Sequence, residues 1–187
     1  SEIIFLDRNR VEIKFLNKIK EAKKLNNIQL AICLVKKNPL ENIFQKATEL
    51  GVSNIIPLIS ERTEVKDINY ERAKKIVIEA TEQSNQLIPP TISDITKLKN
   101  FLESLDQSTK LLFADINSKN NLDIKDFKEA KSLCVLIGPE GDFTPKERET
   151  ILSRTNTIPF SLSNNILRAD TATISAISLI NFVLSDH

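Results

Sequence analysis

Two stretches of this chain, residues 28–35 (IQLAICLV) and 133–137 (LCVLI), are apolar with almost no alternation. A strand with one wet face alternates polar and apolar residues, so an uninterrupted run of strand length must be covered on both faces. That demands a sheet with helices above and below it. The rest of the chain supplies them. Leu40, Ile43, Phe44, Ala47 and Leu50 follow the i, i+3, i+4, i+7 stripe behind Pro39, and Gly51 stands where a left-handed cap ends a helix. Residues 54–59 (NIIPLI) predict a second strand. Residues 71–85 predict a helix with Ala73, Ile76, Val77 and Ala80 inward, ended ahead of Pro89 and Pro90. A third helix with Leu98, Phe101, Leu102 and Leu105 inward precedes a strand at 110–114. After a polar stretch, 115–131, come the 133–137 strand, a helix from Pro145 to about Arg154, a strand at 157–162 and a last helix over 170–184. Strand-helix alternation of these lengths predicts an α/β domain with a mainly parallel sheet.

The last helix is free of charge along its body and apolar nearly all round, through Ala172, Ile174, Ala176, Ile177, Leu179, Ile180, Phe182 and Val183. This predicts burial on more than one side, by the sheet and by a second subunit. At the other end, Val11, Ile13 and Phe15 alternate with Glu12, Lys14 and Leu16, which predicts a half-buried strand with residues 3–6 as its neighbour. The polar stretch 21–27 reads as a linker, so that residues 1–24 form a small β piece and residues 25–187 the main domain.

Composition narrows the chemistry. The one His, His187, is terminal, which leaves imidazole-based catalysis and zinc-histidine sites without a candidate. The two cysteines, Cys33 and Cys134, each lie inside an apolar run and read as core residues rather than a disulfide or metal pair. No apolar run of about 18 residues and no signal-peptide layout is present, so a soluble, cytoplasmic protein is expected, with no membrane partner. The absence of Met implies a chain that was processed, expressed as a piece or read from a longer gene. Residues 1–24 carry seven Lys or Arg against four Asp or Glu, a surplus that suits either phosphate contacts or a solvated face.

In open parallel sheets ligands sit at the carboxyl ends of strands, so the loops leaving strands are the candidate sites. The first is Gly138-Pro139-Glu140-Gly141-Asp142-Phe143-Thr144, holding two of the chain's three glycines, followed by a Thr144/Glu147 capping box with Pro145 at the first helical position. Gly permits positive φ and close approach of a ligand, and the sequence is neither G-x-G-x-x-G nor a Walker loop. A ligand loop and a structural turn both remain open. The second loop, 162–172, places Arg168 at the start of the last helix. A cation is unfavourable there, so Arg168 needs either a ligand or a salt bridge to Asp170 or Glu140.

Four ordered motifs, K-x-P-L-E-N-I-F-Q-K-A-T-E-L-G-V (37–52), E-A-T-E-Q-S (79–84), L-I-G-P-E-G (136–141) and I-L-R-A-D-T-A (166–172), resemble those of the 16S ribosomal RNA uridine-N3 methyltransferases, the small-subunit methyltransferase E family of the SPOUT superfamily. The resemblance runs from about residue 1 to residue 185. It implies a C-terminal trefoil knot that binds S-adenosylmethionine, a homodimer, the 16S rRNA of the small ribosomal subunit as partner, and an N-terminal PUA-like β-barrel of which residues 1–24 are the remnant. Carried over, Gly138, Pro139, Glu140 and Gly141 match the first cofactor loop. Leu162, Ser163, Ile166, Leu167, Thr171 and Ala172 match the second, and Arg168 matches the catalytic position, orienting uridine or stabilising charge as its N3 proton leaves. No metal is implied. Glu140, Glu82 and water stand as acceptors of that proton. Arg62, Lys14, Lys18, Lys20, Lys23 and Lys24 are the candidate RNA contacts. The chain departs from the family at Asp142 and Ser163, where Gly is usual, and at Asn85-Gln86, where Gly-Arg is usual. The alternative functional classes are a catalytically impaired RNA-binding or dimeric scaffold of the same fold, and a small-molecule nucleotide enzyme of ordinary, unknotted topology.

Overall fold

A computed structural model describes residues 1–21, 27–123, 125, 127 and 130–185. The linker, Lys23, Lys24 and His187 therefore lie wholly or largely outside the described residues. The elements run β1 (Glu2–Leu6), β2 (Val11–Lys14), β3 (Ile28–Cys33), α1 (Lys37–Glu49), β4 (Asn54–Ile59), α2 (Tyr70–Gln83), β5 (Thr91–Ile92), β6 (Thr96–Lys97), α3 (Leu98–Ser104), β7 (Thr109–Ala114), β8 (Ser132–Ile137), α4 (Pro145–Leu152), β9 (Thr157–Phe160) and α5 (Ala169–Ser185).

The two uninterrupted apolar runs lie side by side as β3 and β8, with Leu30 opposite Val135 and Ala31 opposite Leu136. The sheet order is β5-β4-β3-β8-β7-β9, with β6 also on β4, and every neighbouring pair is parallel. Alternate residues of the same strands serve two cores. Leu30, Ile32, Ile55, Leu112, Val135 and Ile137 pack with α1, α2 and α5. Ala31, Cys33, Leu111, Phe113, Cys134 and Leu136 pack with α3 and α4. Each fully buried aliphatic side chain contributes about 1.5–3 kcal/mol, which is why strands of this composition settle in the middle layer.

Several boundaries carry a physical reason. Helix α1 begins at Lys37, two residues before Pro39, and Pro39 sits in its first turn, where a missing N–H costs no helical bond. Gly51 has the left-handed φ of 81° expected of it. Strands β5 and β6 have no apolar run to announce them. They pair with the two ends of β4, and the gap between them faces Ile56 and Pro57, where Pro57 has no N–H to offer a neighbour. Strand β9 closes the opposite edge with four residues, one of them Pro159, paired to Phe113. The polar amides Gln86 and Asn181 cap the end of α1: Gln86 Nε2 donates to Thr48 O at 2.7 Å and Asn181 Nδ2 donates to Leu50 O at 2.7 Å.

One expectation changes. Strands β1 and β2 do form an antiparallel hairpin, but it is not half-buried: both faces are exposed, and Phe15 just beyond it is 88% exposed. A two-stranded ribbon has no second layer of its own to cover its apolar side chains. Helix α5 buries Thr173, Ala176, Ile177 and Ile180, while Phe182 on its other side is 64% exposed, so within one chain it is covered on one side only.

Cys33 and Cys134 are free and buried, as the sequence implies. Burial pushes both thiols up to about 12, so neither ionises near neutrality. The folded protein at pH 8 should therefore show no thiol reactive toward a disulfide reagent such as DTNB, and two after unfolding. Rapid labelling of the native chain would contradict this packing.

Candidate functional site

The strand order places the carboxyl ends of β7, β8 and β9 next to one another, so their exit loops enclose a common space. That space is a cleft of about 500 Å³, within the size range of small-ligand sites. Of the residues named from the sequence, Gly138, Pro139, Glu140, Gly141, Leu162, Ser163, Ile166, Leu167, Arg168 and Ala172 line it together, with Ile137 and Ile116 adding apolar surface. Thr171, exposed near the start of α5, is not among its walls. Glu82 lies near the end of α2, also outside the cleft, which leaves Glu140 as the carboxylate placed there of the two considered.

The loop after β8 holds one shape for reasons that differ from those read in its glycines. Neither Gly138 nor Gly141 has a positive φ; the left-handed residue is Asp142, at 59°. Asp142 N–H donates to Pro139 O at 2.9 Å, and its Oδ1 accepts Phe143 N–H at 2.7 Å, local bonds that make an Asp tolerable in this conformation. Asp142, where the resemblance implies Gly, thus meets a left-handed backbone without one, as Asn85 does at φ 56° beyond α2. Gly138 is favoured by packing: a Cβ there would lie 3.0 Å from the Phe143 ring, which meets Phe113 edge-on at 5.7 Å. The expected capping box closes the loop, with Glu147 N–H donating to Thr144 Oγ1 and Thr144 N–H to Glu147 Oε2. The loop after β4 braces it, through Glu61 N–H to Glu147 Oε1 at 2.8 Å and Arg62 NH1 to Gly141 O at 2.9 Å.

Arg168 makes neither salt bridge that its position invites. Asp170 accepts from Thr171 N–H and from Asn42 Nδ2, and among the described residues no carboxylate pairs with the exposed Arg168 guanidinium. Its carbonyl accepts Ala172 N–H as the first bond of α5, so the cation stands at the helix N-terminus in the cleft wall. Nearby, the backbone N–H groups of Glu140, Gly141, Ile166 and Leu167 donate to no described acceptor, and the Ile166 side chain is 85% exposed. Ser163 lines the cleft with its Oγ accepting Asn165 N–H at 3.0 Å, which shapes the second loop. A cleft with apolar walls and free backbone donors suits a nucleoside-bearing cofactor, whose base edges take such bonds and whose ring takes apolar contact.

Sequence reading passed over Asp115, left within a polar stretch. It is buried in the cleft wall, accepting from Arg148 Nε at 3.1 Å, Arg148 NH2 at 2.7 Å and Asn117 N–H at 3.0 Å. The signal was available: Asp115 immediately follows the apolar strand LLFA, the same strand-end position that singled out the other two loops. The candidate RNA contacts are dispersed. Lys14 is exposed on the hairpin, Lys18 pairs with Glu21 at 2.7 Å, and Lys20 donates to Asn85 O.

Residues 20–181 match the family model described as RNA methyltransferase domain. The ribosomal RNA small subunit methyltransferase E of Rickettsia conorii is 33% identical over 190 residues, spanning all of this chain and 77% of that protein. Among solved structures, a probable rRNA-methyltransferase from Porphyromonas gingivalis superposes with a TM-score of 0.86 at 27% identity, covering 97% of this chain and 78% of the other. A ribosomal RNA small subunit methyltransferase E from Neisseria gonorrhoeae bound to S-adenosyl methionine gives 0.79 at 28% identity, covering 89% and 70%.

The two glycines should respond differently to a methyl group. Gly138→Ala must displace the Phe143 ring and is expected to cost about 1–3 kcal/mol in urea unfolding. Gly141→Ala, whose nearest neighbour is Arg62 Cβ at 3.5 Å, should unfold within about 0.5 kcal/mol of the unsubstituted chain. Equal losses would contradict the packing described.

Proposed function

Because the chain belongs to the RNA methyltransferase domain family, with the ribosomal RNA small subunit methyltransferases E among its relatives, we propose that it transfers a methyl group from S-adenosylmethionine to rRNA of the small ribosomal subunit. The finer reading is methylation of a uridine at N3 in 16S rRNA, in the cytoplasm. The observation that carries the proposal is the cleft itself. Three strand-exit loops bring together free backbone donors, apolar walls and one unpaired cation.

The cofactor, when bound, supplies a methyl group activated by its sulfonium. Everything else falls to the chain. The amides of Glu140, Gly141, Ile166 and Leu167 would hold the cofactor by hydrogen bonds, and Leu162, Leu167 and Ala172 would give it apolar contact. Arg168 orients the uridine and offsets the negative charge that grows as N3 loses its proton, a role that suits a guanidinium with no carboxylate on it. Glu140, in the cleft wall, and water are the acceptors considered for that proton, and orientation of the uridine ring supplies much of the acceleration.

The trefoil knot is part of the same proposal. Helix α5 lies against α1 and β8 although β9, which precedes it, forms the sheet edge, so the connecting loop must travel back across the sheet end. On the way Ser161 N–H donates to Asn120 O at 2.8 Å, which ties it to the β7–β8 connection. The exposed apolar hairpin supports reading residues 1–24 as part of a PUA-like RNA-binding barrel, and exposed Leu179 and Phe182 support a homodimer through α5. No helix among the described residues is long and apolar enough to cross a membrane.

Titration calorimetry should show S-adenosylmethionine binding to the unsubstituted chain, and labelled methyl groups should appear in small-subunit rRNA at uridine N3. Arg168→Ala should lower transfer at least about 100-fold while leaving the melting temperature and cofactor binding nearly unchanged. Near-normal turnover in that variant would remove Arg168 from its assigned role.

A further inference from the structure

Asp115 is the point at which the three loops of the cleft meet. Its carboxylate takes the Arg148 guanidinium in a forked contact, and Arg148 lies on α4, whose capped start ends the loop after β8. The same carboxylate accepts Asn117 N–H, and the Asp115 carbonyl accepts Ser118 N–H at 3.0 Å, which together shape the exit of β7. The backbone N–H of Asp115 donates to Phe160 O at 3.0 Å, joining the end of β9. The Asp115 side chain is 2% exposed against 35% for Arg148, so the pair is reached from solvent only along its arginine. Arg148 is held protonated more firmly by this carboxylate.

The sheet does not depend on this contact. Strand β7 is already bonded along its length to β8 and β9. Helix α4 has a single fully buried residue, Ile151, near its far end, so its first turn is oriented by polar contacts. Those contacts are the Glu147 bond to Glu61 N–H and the Arg148 fork on Asp115. A planar guanidinium fork fixes direction as well as distance.

We propose that Asp115 and Arg148 are positioning residues for the cofactor: their pairing sets the spacing of the loops leaving β7 and β8, and with it the affinity of the cleft for S-adenosylmethionine. This rests on the reading of the cleft as the cofactor site. The pair touches no reacting atom and acts through the amides of the loop after β8.

A double-mutant cycle tests it, with Asp115→Asn, Arg148→Gln and both together, read by calorimetric Kd for S-adenosylmethionine and by melting temperature. Each single variant should bind about tenfold more weakly, and the double variant no worse than the weaker single, because one interaction is lost in all three. Arg148→Lys, which keeps the charge and loses the fork, should fall between and keep a melting temperature close to the unsubstituted chain's, which separates positioning from the destabilisation caused by the buried carboxylate that Arg148→Gln leaves unpaired. Should Asp115→Asn fail to fold, the Arg148 variants carry the test alone. Affinity within about twofold in Arg148→Gln, or additive losses in the double variant, would overturn the positioning role. Absence of binding by the unsubstituted chain would instead overturn the cofactor reading beneath it.

Discussion

The structure depends on two adjacent parallel strands that have no face for water. Strands β3 and β8 must be roofed on both sides, and that demand determines where the helices go: α1, α2 and α5 over one face, α3 and α4 over the other. A parallel sheet of this kind turns every strand in the same direction, so all strand exits open at one end of the molecule. Position in the order then decides which exits can cooperate. Because β8 is flanked by β7, and β7 by β9, loops from residues 115, 138 and 161 onward converge although they are far apart in sequence.

The layout of the sheet was legible because its signals are periodic and strong. The stripe of Leu40, Ile43, Phe44 and Ala47, and the buried runs at β3 and β8, allow few alternatives. Strands β5 and β6 were not legible, since two residues hold no period and their existence depends on the shape of β4 around Pro57. The hairpin shows the opposite failure. Alternation correctly gave strands β1 and β2 but could not say whether anything covers them, because burial is a property of neighbours.

The site was legible to a similar depth. Strand-end position drew attention to the loops that hold Gly138, Glu140 and Arg168, and the family resemblance supplied Leu162; the structure brings all four into one cleft. The reasons for those residues were less legible. Gly138 answers to Phe143, five residues on, and positive φ belongs to Asp142. Both facts depend on how the loop folds back, which composition does not encode. Asp115 was missed because its partner, Arg148, is 33 residues away and on a different element.

Strand β9 carries a further consequence for how copies of the chain can meet. An edge strand normally offers its unpaired backbone groups to any passing strand, which is how sheets fuse across molecules. Here the edge is four residues long and Pro159 interrupts its donors, while β5 and β6 at the other edge are two residues each with a break between them. Neither border can zip to a second sheet. Copies meeting along these two borders would therefore have to fit by side chains, whose match is particular to their shapes, and not by backbone pairing, which would accept almost any sequence.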